Sequence, residues 1–209
     1  MKKLIIQAVS VITVLASFTL FAHNKVVVIP LGGDEAPTFK TIFVTSGTFT
    51  GNLMAAGDGD DGPSGADNLC MSAAGAANSK VKGKSFKAWL SSGGPATVNG
   101  SGRELVLYDL PYHNVEGVLV FDDLWDLNVL PQNPILDESG FVAAGDARFP
   151  WVGITDSGEV TIESCTSWDS DDNLDRGAYG FVTSTIPGNW NFTNPIGCDS
   201  FGSLLCFEQ

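Results

Sequence analysis

Four cysteines constrain this chain more than any other feature. They are Cys70, Cys165, Cys198 and Cys206 in a sequence of 209 residues. All lie well past a hydrophobic N-terminus. Three fall in the last quarter, the final one inside the closing run Leu204-Leu205-Cys206-Phe207-Glu208-Gln209. An even number of cysteines in an exported chain reads as a disulfide framework. Four cysteines allow three connectivities, and the sequence alone permits a local Cys198–Cys206 clamp as well as long-range pairs.

The cysteine reading rests on export. Met1-Lys2-Lys3 is a short basic segment of bacterial type, and Leu4 to Ala22 is apolar and free of charge. This is a secretory signal pattern, and cleavage after Ala22 is expected. Leu20 is larger than the small residue usual two places earlier, and the run is long enough to serve as an uncleaved anchor. The expected organisation is a signal peptide over residues 1–22, an arm and linker over 23–40, and one domain over 41–209. The expected location is secreted, extracellular or periplasmic, with no membrane association once the signal is removed.

Loss of Lys2 and Lys3 with the signal takes the formal charge from −13 to −15. So acidic a surface disfavours nucleic acid, heparin-like polyanions and anionic lipid as partners. With 44% hydrophobic residues, five Trp and thirteen Phe, the remaining chain can build a sizeable core.

The pattern along the chain is β-rich with one clear helix. Lys25 to Pro30 is a β-branched run closed by Pro and Gly-Gly, and Gly32 to Thr38 reads as a linker. Thr41 to Thr50 alternates large apolar with small polar residues, as a half-buried strand does. Gly51 to Gly65 reads as a loop, and Asp67 then precedes a helix running to about Asn78. On that helix Cys70, Ala73, Ala74 and Ala77 share one face, so the cysteine points to the core with a stripe of small residues. Phe86 to Ser91 is a strand with Phe86, Ala88 and Leu90 on one side. Leu105 to Leu110 and Gly117 to Phe121 are further strands. Asp122 to Leu127 is expected to be a short helical turn that drops Trp125 and Leu127 into the core. Pro131 to Gly140 is a long loop. Short strands follow at Trp151 to Ile154, Val160 to Glu163, Tyr179 to Thr183 and Ser203 to Phe207.

Several of these segments carry a resemblance. The helix with its cysteine, followed by Lys84-Ser85-Phe86-Lys87-Ala88-Trp89-Leu90-Ser91-Ser92, resembles a segment of endostatin, the C-terminal domain of certain collagens. Cys165-Thr166-Ser167-Trp168 resembles that domain's Cys-x-x-Trp, and Cys198 to Glu208 resembles its closing strand. The same segments, with Phe43-Val44-Thr45-Ser46 and Gly65-Ala66-Asp67-Asn68-Leu69-Cys70, are similar to a family of bacterial secreted proteins with an endostatin-like, C-type-lectin-like domain. The resemblance spans roughly residues 41 to 209. It implies an α+β fold of twisted antiparallel strands with a packed helix. It also implies the pairs Cys70–Cys206 and Cys165–Cys198, which tie the first helix to the last strand. Members of that family act as adhesins toward host matrix or serum proteins.

Metal chemistry has few candidates. His23 and His113 are the only histidines, and no Cys-x-x-Cys or His-x-x-x-His occurs. A structural zinc site is therefore not expected, and the histidines with which endostatin holds zinc have no counterpart beyond His23. Cleavage after Ala22 would make His23 the N-terminal residue, and with His113 this is the pattern of a copper histidine brace. A floppy terminal histidine is the competing reading. Two acidic groups are calcium candidates: Asp58, Asp60 and Asp61 with Asp67 nearby, and Asp169, Asp171 and Asp175 with Asp172. Neither has the EF-hand spacing, and Asx turns and solvation are the competing readings. No cofactor is expected beyond that calcium. The lectin tripeptides that hold calcium and sugar are represented only by Asn133-Pro134 and Trp190-Asn191-Phe192.

Catalysis finds no constellation. No Gly-x-Ser-x-Gly elbow is present, and a carboxylate pair such as Asp122 with Asp123 arises by chance among 24 acidic residues. Trp89, Trp125 and Trp151 are expected in the core. Trp168 and Trp190, in polar loops beside Asn191, are the expected ligand surface. The function expected is a non-catalytic binding module for an extracellular protein or glycan. The reading of a different class is a metal-dependent secreted protein or enzyme, copper- or calcium-based.

Overall fold

Ser203-Leu204-Leu205-Cys206-Phe207-Glu208 is nearly continuous in apolar residues, the pattern of a strand covered on both faces. In the computed structural model it is the axis of a mixed α+β fold. The structure describes residues 39–90, 110–153 and 163–209, together with two short strands, β1 (Phe21–Ala22) and β2 (Lys25–Val26). The chain divides into two units, Met1–Ala36 and Pro37–Gln209. In the first, β1 and β2 pair antiparallel, Ala22 opposite Lys25. The signal segment up to Leu20, His23, the Gly32–Thr38 linker, Leu105 to Tyr108 and Val160 to Ile162 lie outside the described residues.

In the second unit the closing strand, β10 (Ser203–Glu208), pairs antiparallel with β3 (Lys40–Val44) and with β4 (Phe86–Ala88), and parallel with β7 (Pro150–Trp151). Beyond β3 the sheet continues through β5 (Tyr112–His113), parallel to β3, and β6 (Leu119–Phe121), antiparallel to β5. A second, two-stranded sheet joins β8 (Arg176–Gly177) to β9 (Ile196–Gly197).

The pleat sends alternate side chains to opposite faces, and here both faces are buried. Ile42, Val44, Trp89, Leu205 and Phe207 enter one apolar cluster. Phe43, Phe86, Ala88, Leu90, Leu204 and Cys206 enter the other. The expected half-buried strand over Thr41 to Thr50 is therefore a shorter strand with no solvent face. It ends at Val44, where Thr45 takes over: its N–H donates to the Leu204 carbonyl, while its hydroxyl accepts from the Leu204 N–H.

One face carries the helices, α1 (Leu53–Ala56) and α2 (Gly62–Gly75). Helix α2 starts about one turn earlier than Asp67, because Asp61 forms a capping box. Its carboxylate accepts from the Ser64 N–H, and the Ser64 hydroxyl accepts from the Asp61 N–H. Pro63 sits in the first turn, where its missing N–H leaves no bond unmade. The glycines here serve packing rather than a loop. A Cβ on Gly65 would lie 2.1 Å from the Leu53 carbonyl oxygen, so α1 and α2 touch backbone to backbone. Cys70 and Ala74 are buried, but Ala77 is exposed beyond the helix end. The Asp67 carboxylate accepts from the Ala88 N–H, so α2 also closes the outer edge of β4.

Both disulfides lie on the helical face. Cys70 joins Cys206 and Cys165 joins Cys198, the two pairs the resemblance implied. Cys165–Trp168 is a single turn with positive φ at all four residues, at 47, 55, 63 and 66°. L-residues rarely adopt that conformation, and close packing holds it. A Cβ on Gly177 would lie 2.5 Å from the Cys165 Sγ, and Trp168 is stacked at a tilt beneath it on Trp151.

Candidate functional site

The expected ligand surface is not a surface. Trp168 and Trp190 are 0% and 1% exposed, and Asn191 is 0% exposed. Trp168 is drawn under the left-handed turn by its neighbour Cys165, and Trp190 packs on Phe121 in the opposite cluster. Asn191 serves the core: its Oδ1 accepts from the Trp89 indole N–H. A polar loop sequence thus returns its aromatic residues inward, because burial of an indole is worth more than exposure beside a few carboxylates.

The acidic groups do not converge. Among the described residues no group of three or more His, Cys, Asp or Glu is placed to hold a metal ion. Asp58 and Asp60 are exposed, and Asp61 is spent on the α2 cap. In the second group, Asp169 and Asp171 are exposed and Asp172 accepts from the Leu174 N–H. The Asp175 carboxylate accepts from the hydroxyls of Ser170 and Thr166. Those two bonds hold its carboxyl below the usual carboxylate range against a small opposing effect of desolvation. These are turn-forming carboxylates, and they do not present the compact set of oxygens that calcium takes. His113 donates its Nδ1–H to the Gly117 carbonyl and stacks on Phe39, with ring centroids 4.1 Å apart. His23, the other half of the copper pattern, lies outside the described residues.

The exposed tryptophan is Trp125, at 63%. This corrects the expectation that Asp122 to Leu127 drops it into the core. Leu124 and Leu127 are buried there, three residues apart, and Trp125 between them points outward. The segment is a pair of Asx turns rather than a helical turn. Asp123 accepts from the Trp125 N–H at 3.1 Å and Asp126 from the Asn128 N–H at 2.9 Å. Asp122, Asp123 and Asp126 flank the ring, but aspartates also follow the buried Trp168, so the local pattern does not decide exposure.

Asp122, Asp123 and Asp126 of the Trp125 loop also line a cavity of about 220 Å³, with Val120, Phe121, Val129, Leu130 and Gln132. A second groove, of about 280 Å³, is lined by Pro131, Gln132, Asn133, Pro134, Val142, Val182, Thr183 and Ser184. Gln132 lines both. It is fixed at both ends. Its backbone N–H donates to the Val120 carbonyl, and its side-chain amide donates to the Asp122 carboxylate. Asn133 likewise donates its side-chain amide to the Leu119 carbonyl, so residues 132 and 133 run along the outer edge of β6. Leu130, Val142 and Ile186 are apolar and exposed nearby in sequence to these walls. The chain thus builds an acidic cavity and an apolar groove side by side on a braced sheet edge.

No protein-family model matches the chain, and comparison with the curated proteins finds no match. No helix among the described residues is long and apolar enough to cross a membrane.

Proposed function

We propose that this protein is a secreted, non-catalytic binding module of endostatin-like, C-type-lectin-like type, acting as an adhesin toward extracellular matrix or serum proteins. The observation that carries the reading is Trp125. It is a large aromatic ring held in solvent on a loop whose neighbours Leu124 and Leu127 are locked in the core. A ring so presented loses little conformational entropy on binding, and such residues dominate the energy of protein interfaces. The fold supports the reading in a second way. The covalent framework and the helices lie on one face of the sheet, and the loop that carries Trp125, like residues lining both cavities, packs on the cluster of the other. Loops on a rigid scaffold are where binding surfaces are built.

The test is binding of the mature protein to immobilised matrix proteins, serum proteins and glycans, repeated with Trp125→Ala. The variant is expected to lose at least about tenfold in affinity, the loss of a moderate interface anchor. Binding that is indifferent to Trp125 rejects this surface. Metal analysis of the same preparation addresses the metal-dependent reading: stoichiometric copper lost in His23→Ala, or calcium required for binding, would replace the present one.

A further inference from the structure

We infer that the paired cavities take an extended polypeptide segment, with a basic side chain in the acidic cavity and an apolar side chain in the neighbouring groove. The inference rests on the binding reading above and names the chemistry of the partner at that same surface.

The apolar groove is the starting point. Pro131, Pro134, Val142 and Val182 line it, and two prolines keep its rim in one shape, since each has φ fixed by its ring. The apolar part of that lining gains from an aliphatic side chain, while Gln132, Asn133, Thr183 and Ser184 supply its polar part. Its neighbour across Gln132 is different in chemistry. Asp122, Asp123 and Asp126 line that cavity within the Trp125 loop. Three carboxylates on a chain of formal charge −13 oppose any anionic occupant and favour a cationic one. A lysine or arginine entering there meets carboxylates.

The shared lining residue bears on the partner class. Gln132 lines both cavities, so they adjoin, and one ligand spanning both meets carboxylates in one and apolar side chains in the other. Neighbouring side chains of a polypeptide meet that contrast readily. A neutral glycan can donate its hydroxyls to the carboxylates but brings no positive charge to balance them. The edge beside the groove adds nothing by strand pairing, because Gln132 and Asn133 already occupy the carbonyls of Val120 and Leu119. Recognition is therefore through side chains, with the two cavities as its two subsites.

The experiment is capture of the full mature chain on an array of overlapping peptides tiled from matrix and serum proteins, at low and high salt. Captured peptides are expected to pair a lysine or arginine with an aliphatic residue one to three positions away. Capture is expected to weaken at least fivefold between 0.05 and about 0.5 M salt as screening shortens. Replacing the basic residue of a captured peptide by Gln should lower capture about tenfold. On the protein side, the double variant Asp122→Asn/Asp126→Asn should remove the preference for basic peptides while Val142→Asp removes the preference for the aliphatic residue. Both sites are exposed, and a melting curve identifies any variant that fails to fold. Val142→Lys then serves as the second groove variant. Peptides captured without basic enrichment, no capture at all, or capture of neutral glycans alone would each overturn the inference. If Trp125→Ala still abolishes binding to intact partners in that case, the binding reading stands and only the partner chemistry is wrong. If Trp125→Ala has no effect on either, the binding reading itself has failed.

Discussion

The two faces of the central sheet are built by different means. The helical face holds Cys70, Cys165, Cys198 and Cys206, with α1, α2 and the left-handed turn packed against them. The opposite face holds no cysteine among the described residues. Trp89, Tyr112, Phe121, Trp190 and Phe207 fill it instead, covered by loops. One face is cross-linked and the other is held by packing and a few hydrogen bonds, such as that from Trp89 to Asn191. The lesson is a division of labour. Covalent ties on one side let the chain carry long irregular segments on the other, and the exposed Trp125 is mounted on the uncross-linked side.

The largest effect expected is loss of the Cys70–Cys206 bond, whose partners are 136 residues apart. In the chain-entropy model the double Ser variant loses about 5 kcal/mol. Cys165–Cys198, with a separation of 33, should matter less, at about 3 to 4 kcal/mol, reduced by relief of its left-handed turn. Chemical denaturation of both variants checks the order; a reversed order would mean that the turn, and not the helix-to-strand tie, anchors that face. On the packed face, Trp190→Ala should cost about 3 to 5 kcal/mol as a large buried side chain is removed. If it costs less than the smaller disulfide does, the comparison weakens, because the uncross-linked face would then be soft as well as unlinked.

Gly65→Ala comes next. The new methyl would meet the Leu53 carbonyl at 2.1 Å, so α1 and α2 must separate, at a cost of about 1 to 3 kcal/mol. Asn191→Leu removes the Trp89 acceptor on the other face and should cost about 1 to 3 kcal/mol. Measured together, the two report whether a backbone contact or a buried side-chain bond is the dearer to lose.

A smaller effect is set by pH. Glu208 closes β10, and its carboxylate accepts from the Lys84 ammonium and the Thr41 N–H at 2.8 Å each. Partial burial pushes its carboxyl up, but the Lys84 and Thr41 bonds outweigh this and leave it below the ordinary carboxylate value. The folded-state value is thus lower than the unfolded one. The contribution is complete above the unfolded value, near 4.3, and is lost as pH falls through the folded value. Lys84→Met should flatten that acid-limb dependence; an unchanged slope would show that Glu208 is not held by this pair. Least of all, Trp125→Ala should change stability by no more than about 0.5 kcal/mol while costing most of the binding. A large loss of stability would make Trp125 a structural residue and remove the contrast between the faces.

Much of the framework was legible in the chain. The run from Ser203 to Glu208, the strand at Phe86, the inward Cys70 and the buried Trp89 and Trp151 follow from period, propensity and size. What escaped was the direction in which loops send their rings. Trp168 and Trp125 both sit among aspartates, yet one is buried and the other exposed. Trp168 is carried inward by the Cys165–Cys198 bond and by close approach to Gly62, contacts that are distant in sequence. Trp125 is turned outward because Leu124 and Leu127 reach the core first. The start of α2 escaped for a related reason: glycine in a row suggests a loop until a second helix is found pressed against it.

By itself, the sequence determined an acidic, cysteine-framed, β-rich chain with one helix and an apolar closing strand, because hydrophobic period and residue size act locally. Only the tertiary structure decided which side chains line the two cavities across Gln132 and which tryptophan meets solvent. Those outcomes depend on competition among residues far apart in the chain for the same limited interior, and no local pattern records who wins it.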